Sequence, residues 1–120
     1  RRKEIDIAYR VGLKDIRGID CLNDSGEKVA NHAYFPILVG EDYPISRDDL
    51  YQKLKEKNIH PRRYFYPLIS EFSMYRGLPS AHRENLPVAT TAAQQVLCLP
   101  IYPDLDMSIV DEIIHFIAAQ

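Results

Sequence analysis

Ile5, Ala8, Tyr9 and Gly12 recur on one side of a charged stretch, with Leu13 beside them. This spacing predicts a helix over residues 3–14. Gly18 ends the pattern, and a short apolar run, Ile19 to Leu22, follows it. Asn23-Asp24-Ser25-Gly26 is a turn cluster. Ala33 to Val39 is rich in aromatic and β-branched residues and reads as a strand, so 19–22 and 33–39 are expected to pair as a hairpin. Pro36 lacks an N–H for a ladder, which predicts an edge position or a bulge there. Ser46 with Asp49 three residues on has the form of a capping box, and Asp48 and Asp49 suit the positive end of a helix. Leu50, Tyr51 and Leu54 then face inward, while Lys53, Lys55 and Lys57 take the wet side. Asn58 is the expected C-cap, and Pro61 stops continuation.

Ile59 to Tyr66 is expected to return as an extended segment. Residues 67–86, punctuated by Pro67, Gly77 and Pro79 and followed by Pro87, read as a long irregular loop. Residues 88–96 read as a short helix with Thr90 or Thr91 near its start, and Val96 to Ile101 as an apolar run broken by Pro100. Ser108 with Asp111 is expected to open a last helix, in which Val110, Ile113, Ile114 and Ile117 follow the i, i+3, i+4, i+7 rule. The order of elements predicts an α+β fold: a small, mainly antiparallel sheet with helices on one face, in a single domain spanning 1–120.

Composition narrows the function classes. The 120 residues are 46% hydrophobic and 27% charged, with 15 basic and 17 acidic side chains and a net charge of −2. That is globular and gives no electrostatic reason to expect nucleic acid or an anionic membrane. No apolar run approaches the roughly 20 residues of a bilayer span. Cys21 and Cys98, two and far apart, are expected to be reduced buried thiols of a cytoplasmic protein. The chain opens at Arg1 with no Met and runs straight into a helical pattern, as expected of a piece of a longer polypeptide.

The candidate chemistry is concentrated. His32, His60, His82 and His115 have no i, i+3 or i, i+4 spacing, so no metal site is expected. Gly-rich phosphate loops and a Gly-x-Ser-x-Gly elbow are absent from the sequence, and Ser80 near His82 is proximity without a triad. The densest signal is His60-Pro-Arg-Arg-Tyr-Phe-Tyr-Pro67. Two guanidiniums beside three aromatics suit phosphate and a planar base, which a nucleotide diphosphate presents. In the competing reading, Tyr64 and Tyr66 share a strand face as packing, and Arg62 and Arg63 are solvated. A single-stranded nucleic acid would also suit a basic–aromatic run, but the acidic balance opposes it. Tyr75, Arg76, His82 and Arg83 sit in the long loop, which reads either as a lid over a partner surface or as an ordinary exposed loop.

Taken in order, Asn58-Ile59, Arg62-Arg63-Tyr64-Phe65-Tyr66-Pro67-Leu68, Tyr75-Arg76, Asn85-Leu86-Pro87-Val88-Ala89 and Val96-Leu97-Cys98-Leu99-Pro100-Ile101-Tyr102-Pro103 resemble the C-terminal part of the DegT/DnrJ/EryC1/StrS aminotransferases. The resemblance covers the whole chain and is most similar to the dTDP-4-amino-4,6-dideoxyglucose transaminase subgroup. Many relatives carry a histidine two residues after the proline of the second motif; here Ile69 stands there. The resemblance implies the C-terminal small domain of a fold-type I pyridoxal-phosphate transferase. The whole enzyme would move an amino group from glutamate to a dTDP-linked 4-keto-6-deoxy sugar, for amino-sugar and O-antigen polysaccharide synthesis, as a cytoplasmic homodimer. Arg62, Arg63, Tyr64 and Tyr66 are the implied substrate-binding residues. Lys3, Lys14, Lys28, Lys53, Lys55 and Lys57 lie outside the family's lysine motif, so the imine-forming lysine and the pyridoxal phosphate belong to a large domain this chain lacks. The alternative is a free-standing ligand-binding or interaction domain.

Overall fold

The computed structural model describes residues 1–22 and 31–120. The turn expected at Asn23-Asp24-Ser25-Gly26, and Lys28, lie outside the described residues. Helix α1 (Arg2–Leu13) buries Ile5, Tyr9 and Leu13 completely, the stripe its periodicity predicts. Gly12 lies where α1 meets the last helix: a Cβ there would stand 2.7 Å from the Ile114 side chain. Strands β1 (Ile19–Cys21) and β2 (Phe35–Val39) pair antiparallel, with Ile19 opposite Val39 and Cys21 opposite Ile37, which is the expected hairpin. Strand β3 (Val96–Leu99) pairs antiparallel on the other side of β2, giving the order β1-β2-β3.

Pro36 is therefore on the central strand, not at an edge or a bulge. It is tolerated because of which ladder it faces. Opposite it, Cys98 turns both its N–H and its C=O away from β2, toward Arg62. Pro36 thus points its backbone toward β1, and β1 has ended at Cys21, one pair short of it.

Helix α2 (Arg47–Glu56) starts as its sequence predicts, with Ser46 Oγ accepting from the Asp49 N–H at 3.1 Å. It ends in a Schellman motif: Asn58 donates to the Lys55 carbonyl, and Ile59 to that of Leu54. Asn58 carries the left-handed φ of +60°, one residue beyond the cap at Lys57, and Leu54 and Ile59 are both buried. The ribbon that follows touches the sheet through a single antiparallel bridge, Arg62 to Cys98, and turns at Tyr64-Phe65; it is not extended through to Tyr66. Three 3₁₀ turns (Ile69–Glu71, Pro79–Ala81 and Arg83–Asn85) punctuate the long loop.

Helix α3 (Pro87–Gln95) begins one residue ahead of the expected 88–96, because proline's fixed φ suits the first helical position. Helix α4 (Met107–Ala118) is capped by Asp106, not Ser108; the Asp106 carboxylate accepts the Ser108 N–H at 2.9 Å and places Ser108 inside the first turn.

The core lies between the sheet and α1, α2 and α4. Phe35, Ile37 and Val39 point into it beside Leu97, Leu99, Val110, Ile113 and Ile117. Each such side chain contributes roughly 1.5–3 kcal/mol by leaving water. Tyr9 packs on Phe35, ring centroids 4.9 Å apart, and its hydroxyl donates to the Pro100 carbonyl. The alternate residues of β2, Pro36 and Leu38, face the opposite side of the sheet, where α3 rests beside Leu38.

Candidate functional site

The Schellman turn after α2 sends the chain back along β3, and Pro61 is buried at the start of that return. The bridge then fixes the Arg62 backbone through two hydrogen bonds with Cys98, 2.9 and 2.7 Å. Neighbouring residues on an extended segment point to opposite sides. The four sequence-predicted residues accordingly divide into two pairs, and the structure does not bring them to one place.

Arg62 and Tyr64 share a recess of about 310 Å³ with Tyr34, His60 and Tyr102; Cys98 to Ile101 form part of its lining. Arg62 Nη1 donates to the Tyr64 hydroxyl at 2.6 Å, and this bond holds the guanidinium still more firmly protonated. Tyr34 meets the Tyr64 ring edge-on, centroids 5.1 Å apart at 84°. Arg62 is exposed and has no carboxylate partner among the described residues. An exposed, forked cation over the half-buried Tyr64 ring, in a recess also lined by the exposed Tyr34 and Tyr102, is suited to an anionic group attached to a planar one.

Arg63 and Tyr66 face α2 instead. Arg63 Nη1 donates to Asp48 Oδ1 at 3.0 Å, and Arg47 Nε donates to the same oxygen at 2.9 Å. Partial burial works to raise the Asp48 pKa, but the hydrogen bonds and charges of the two arginines outweigh it and hold the carboxyl below its ordinary range. The Arg47 side chain is almost wholly buried and also donates to the carbonyls of Ala93 and Val96. Tyr64 and Tyr66 therefore do not share a face, because the turn at Tyr64-Phe65 breaks the two-residue alternation.

Tyr34 and Tyr102 lie outside the basic–aromatic run that His60 opens, and none of the three is among the implied substrate-binding residues. Parity was an available signal for two of them: His60 stands two before Arg62, and Tyr34 two before Pro36, whose side chain leaves the core. The long loop is closed on itself by Arg83, which donates to Glu71, and by Asn85, which donates to the Pro79 carbonyl. Its apolar side chains Ile69, Phe72, Met74 and Leu78 are exposed. Cys21 and Cys98 are free thiols, and burial pushes the pKa of both upward.

A pyridoxal cofactor needs a lysine amine aimed into a site. Lys53 donates to Gln120, Lys55 lies over Tyr51, Lys57 lies over Phe116, and Lys3 and Lys14 are exposed on and after α1. None of these five lines the recess, so the described residues do not fit an imine-held cofactor.

A model of the DegT/DnrJ/EryC1/StrS aminotransferase family matches residues 1–118. The chain is 50% identical over 113 residues to a dTDP-4-amino-4,6-dideoxy-D-glucose transaminase of Escherichia coli, covering 94% of this chain and 30% of that protein. To a Shigella dysenteriae protein of the same name it is 43% identical over 116 residues, 97% of this chain and 31% of the other. The chain thus spans about 30% of the length of the curated relatives it matches. Among solved structures, DesI determined in the presence of its TDP-sugar product superposes with a TM-score of 0.89 at 28% identity, over 99% of this chain and 30% of that one. The DesV structure from S. venezuelae, at 24% identity and a TM-score of 0.87, covers 99% of this chain and 30% of its own and shares the fold.

Proposed function

The chain belongs to the DegT/DnrJ/EryC1/StrS aminotransferase family, and from that premise we propose that it is the C-terminal small domain of a sugar-nucleotide aminotransferase. The whole protein transfers an amino group from glutamate to a dTDP-linked 4-keto-6-deoxy sugar, in the cytoplasm, for amino-sugar and O-antigen polysaccharide synthesis. It acts as a homodimer. The observation that carries this reading is the 50% identity, over 94% of the chain, to the Escherichia coli transaminase named above.

Pyridoxal phosphate supplies the amino-group carrier and electron sink of such a reaction, and its lysine belongs to the large domain. This chain's part is binding. Arg62 offers its fork of N–H donors to the diphosphate, and the Tyr64, Tyr34 and Tyr102 rings offer faces and edges to the thymine. Arg63 and Tyr66 contribute by holding the ribbon against α2 rather than by touching the ligand.

The test is turnover. The product of the complete reading frame is incubated with glutamate, pyridoxal phosphate and dTDP-4-keto-6-deoxyglucose, and nucleotide sugars are separated and identified by mass. An aminated dTDP-sugar formed with release of 2-oxoglutarate is expected. Absence of any aminated product, with the protein folded and cofactor-loaded, refutes the reading.

A further inference from the structure

We infer that Asp48, together with Arg47 and Tyr51, is a positioning device that sets the orientation of Arg62 and Tyr64 at the recess. The inference rests on the reading of that recess as the nucleotide's site.

Among the described residues, 63–67 find no backbone-to-backbone hydrogen bond. Their path is therefore set by side chains, and those side chains form a ladder. The Tyr66 ring meets two guanidiniums, 5.0 Å from that of Arg47 and 5.1 Å from that of Arg63. Arg63 in turn lies 4.6 Å from the Tyr51 ring, and Lys55 stands 5.4 Å from that ring. Cations and π faces thus alternate from Arg47 to Lys55, each contact attractive through the ring quadrupole. Two guanidiniums so close repel one another unless an anion lies between them. Asp48 is that anion, accepting from both through one oxygen.

One end of the ladder is rooted in the core, because Arg47 is bonded to carbonyls at the junction of α3 and β3. Arg47, Tyr51 and Lys55 all belong to α2, so that helix carries the ladder. The ribbon is consequently held on both sides of Tyr64: before it by the Arg62–Cys98 bridge, after it by the ladder. The arrangement also sorts the two adjacent arginines. Asp48 takes the charge of Arg63, and Arg62, at the recess, keeps a fork without a carboxylate partner among the described residues.

Asp48 touches neither the recess nor any reacting atom, so its loss is expected in substrate binding and not in the chemical step. In the full-length protein, Asp48→Asn is expected to raise KM for the dTDP-sugar about three- to tenfold, the low end for a bridging charge that is partly solvated. The kcat is expected to stay within about twofold, and Asp48→Glu to restore most of the affinity. Tyr51→Leu removes one rung and spares the carboxylate; its expected KM increase is about two- to fivefold. Arg62→Ala separates the two levels of the reading. If Arg62→Ala raises KM while Asp48→Asn and Tyr51→Leu do not, the positioning role is overturned and the recess stands. If Arg62→Ala leaves KM unchanged, the recess is not the nucleotide's site and the positioning role falls with it. A fall in kcat equal to the loss in kcat/KM for Asp48→Asn also overturns it.

Discussion

Gly18 and Gly40 are joined by a hydrogen bond, the Gly40 N–H donating to the Gly18 carbonyl at 2.8 Å, yet alanine is expected to do opposite things at the two positions. At Gly18 the backbone is left-handed, φ +79°. A Cβ there would stand 2.2 Å from the Tyr43 nitrogen, 2.6 Å from the Tyr43 Cα and 2.7 Å from the Asp42 carbonyl carbon. All three are backbone atoms and cannot swing aside as a side-chain tip can. The left-handed conformation costs an L-residue about 1–2 kcal/mol, and forcing atoms into a filled space costs about 1–3 kcal/mol more. Gly18→Ala is therefore expected to lose about 2–5 kcal/mol, a large share of a small domain's stability of roughly 5–15 kcal/mol. At Gly40 the added Cβ meets only the Gly18 oxygen, at 3.5 Å, an ordinary contact. Gly40→Ala is expected within about 1 kcal/mol of the parent, in part because alanine reduces the freedom of the unfolded chain. Urea unfolding of both variants followed by far-ultraviolet circular dichroism measures the difference. Equal destabilisation of the two, within about 1 kcal/mol, refutes the reasoning from left-handed geometry and close approach.

Tyr43 donates to the Ile117 carbonyl at 2.7 Å, and burial pushes its pKa from 10.0 up to about 12. The native state thus holds this proton more tightly than the unfolded chain does, so the contribution is whole below pH 10 and is lost as pH climbs toward 12. Tyr43→Phe is expected to flatten that alkaline loss in pH-dependent urea titrations while lowering neutral stability by about 1–3 kcal/mol through the unpaired carbonyl; an unchanged alkaline slope counts against it. Ser46→Ala strands the Asp49 N–H and is expected to cost about 1 kcal/mol in the same unfolding assay, with a cost near zero as the contrary result. Leu97→Ala empties part of the fully buried centre of β3 and is expected to cost about 2–5 kcal/mol; a value under 1 kcal/mol is inconsistent with the packing.

The elements with a strong period or a self-contained cap were legible from the chain. Ile5, Tyr9 and Leu13 give the buried stripe of α1, Val110, Ile113 and Ile117 that of α4, and Ser46 with Asp49 the start of α2. At Pro36 the deciding neighbours are distant in sequence. Pro36 argues for an edge locally, and only the early end of β1 and the pairing of Cys98 with Arg62 make room for it in the central strand. The cap of α4 at Asp106 in place of Ser108 follows instead from chemistry present in the sequence, a carboxylate two residues ahead of a serine.

The candidate site was half legible. His60, Arg62 and Tyr64 of the basic–aromatic run line the recess, but Arg62 and Arg63 are chemically alike in sequence. Their separate fates depend on Asp48 and Tyr51 of α2 and on Tyr34 of the approach to β2, contacts that span 12 or more residues. No local pattern announces which of two neighbouring guanidiniums meets the Asp48 carboxylate and which faces the recess.

The measurement that bears most directly on the whole is chemical mapping of the cofactor's attachment. The product of the complete reading frame, loaded with pyridoxal phosphate, is reduced with borohydride, digested, and searched for the pyridoxyl-lysine peptide. The modified lysine is expected to lie before residue Arg1 in the polypeptide. A pyridoxyl group on Lys3, Lys14, Lys28, Lys53, Lys55 or Lys57 contradicts it.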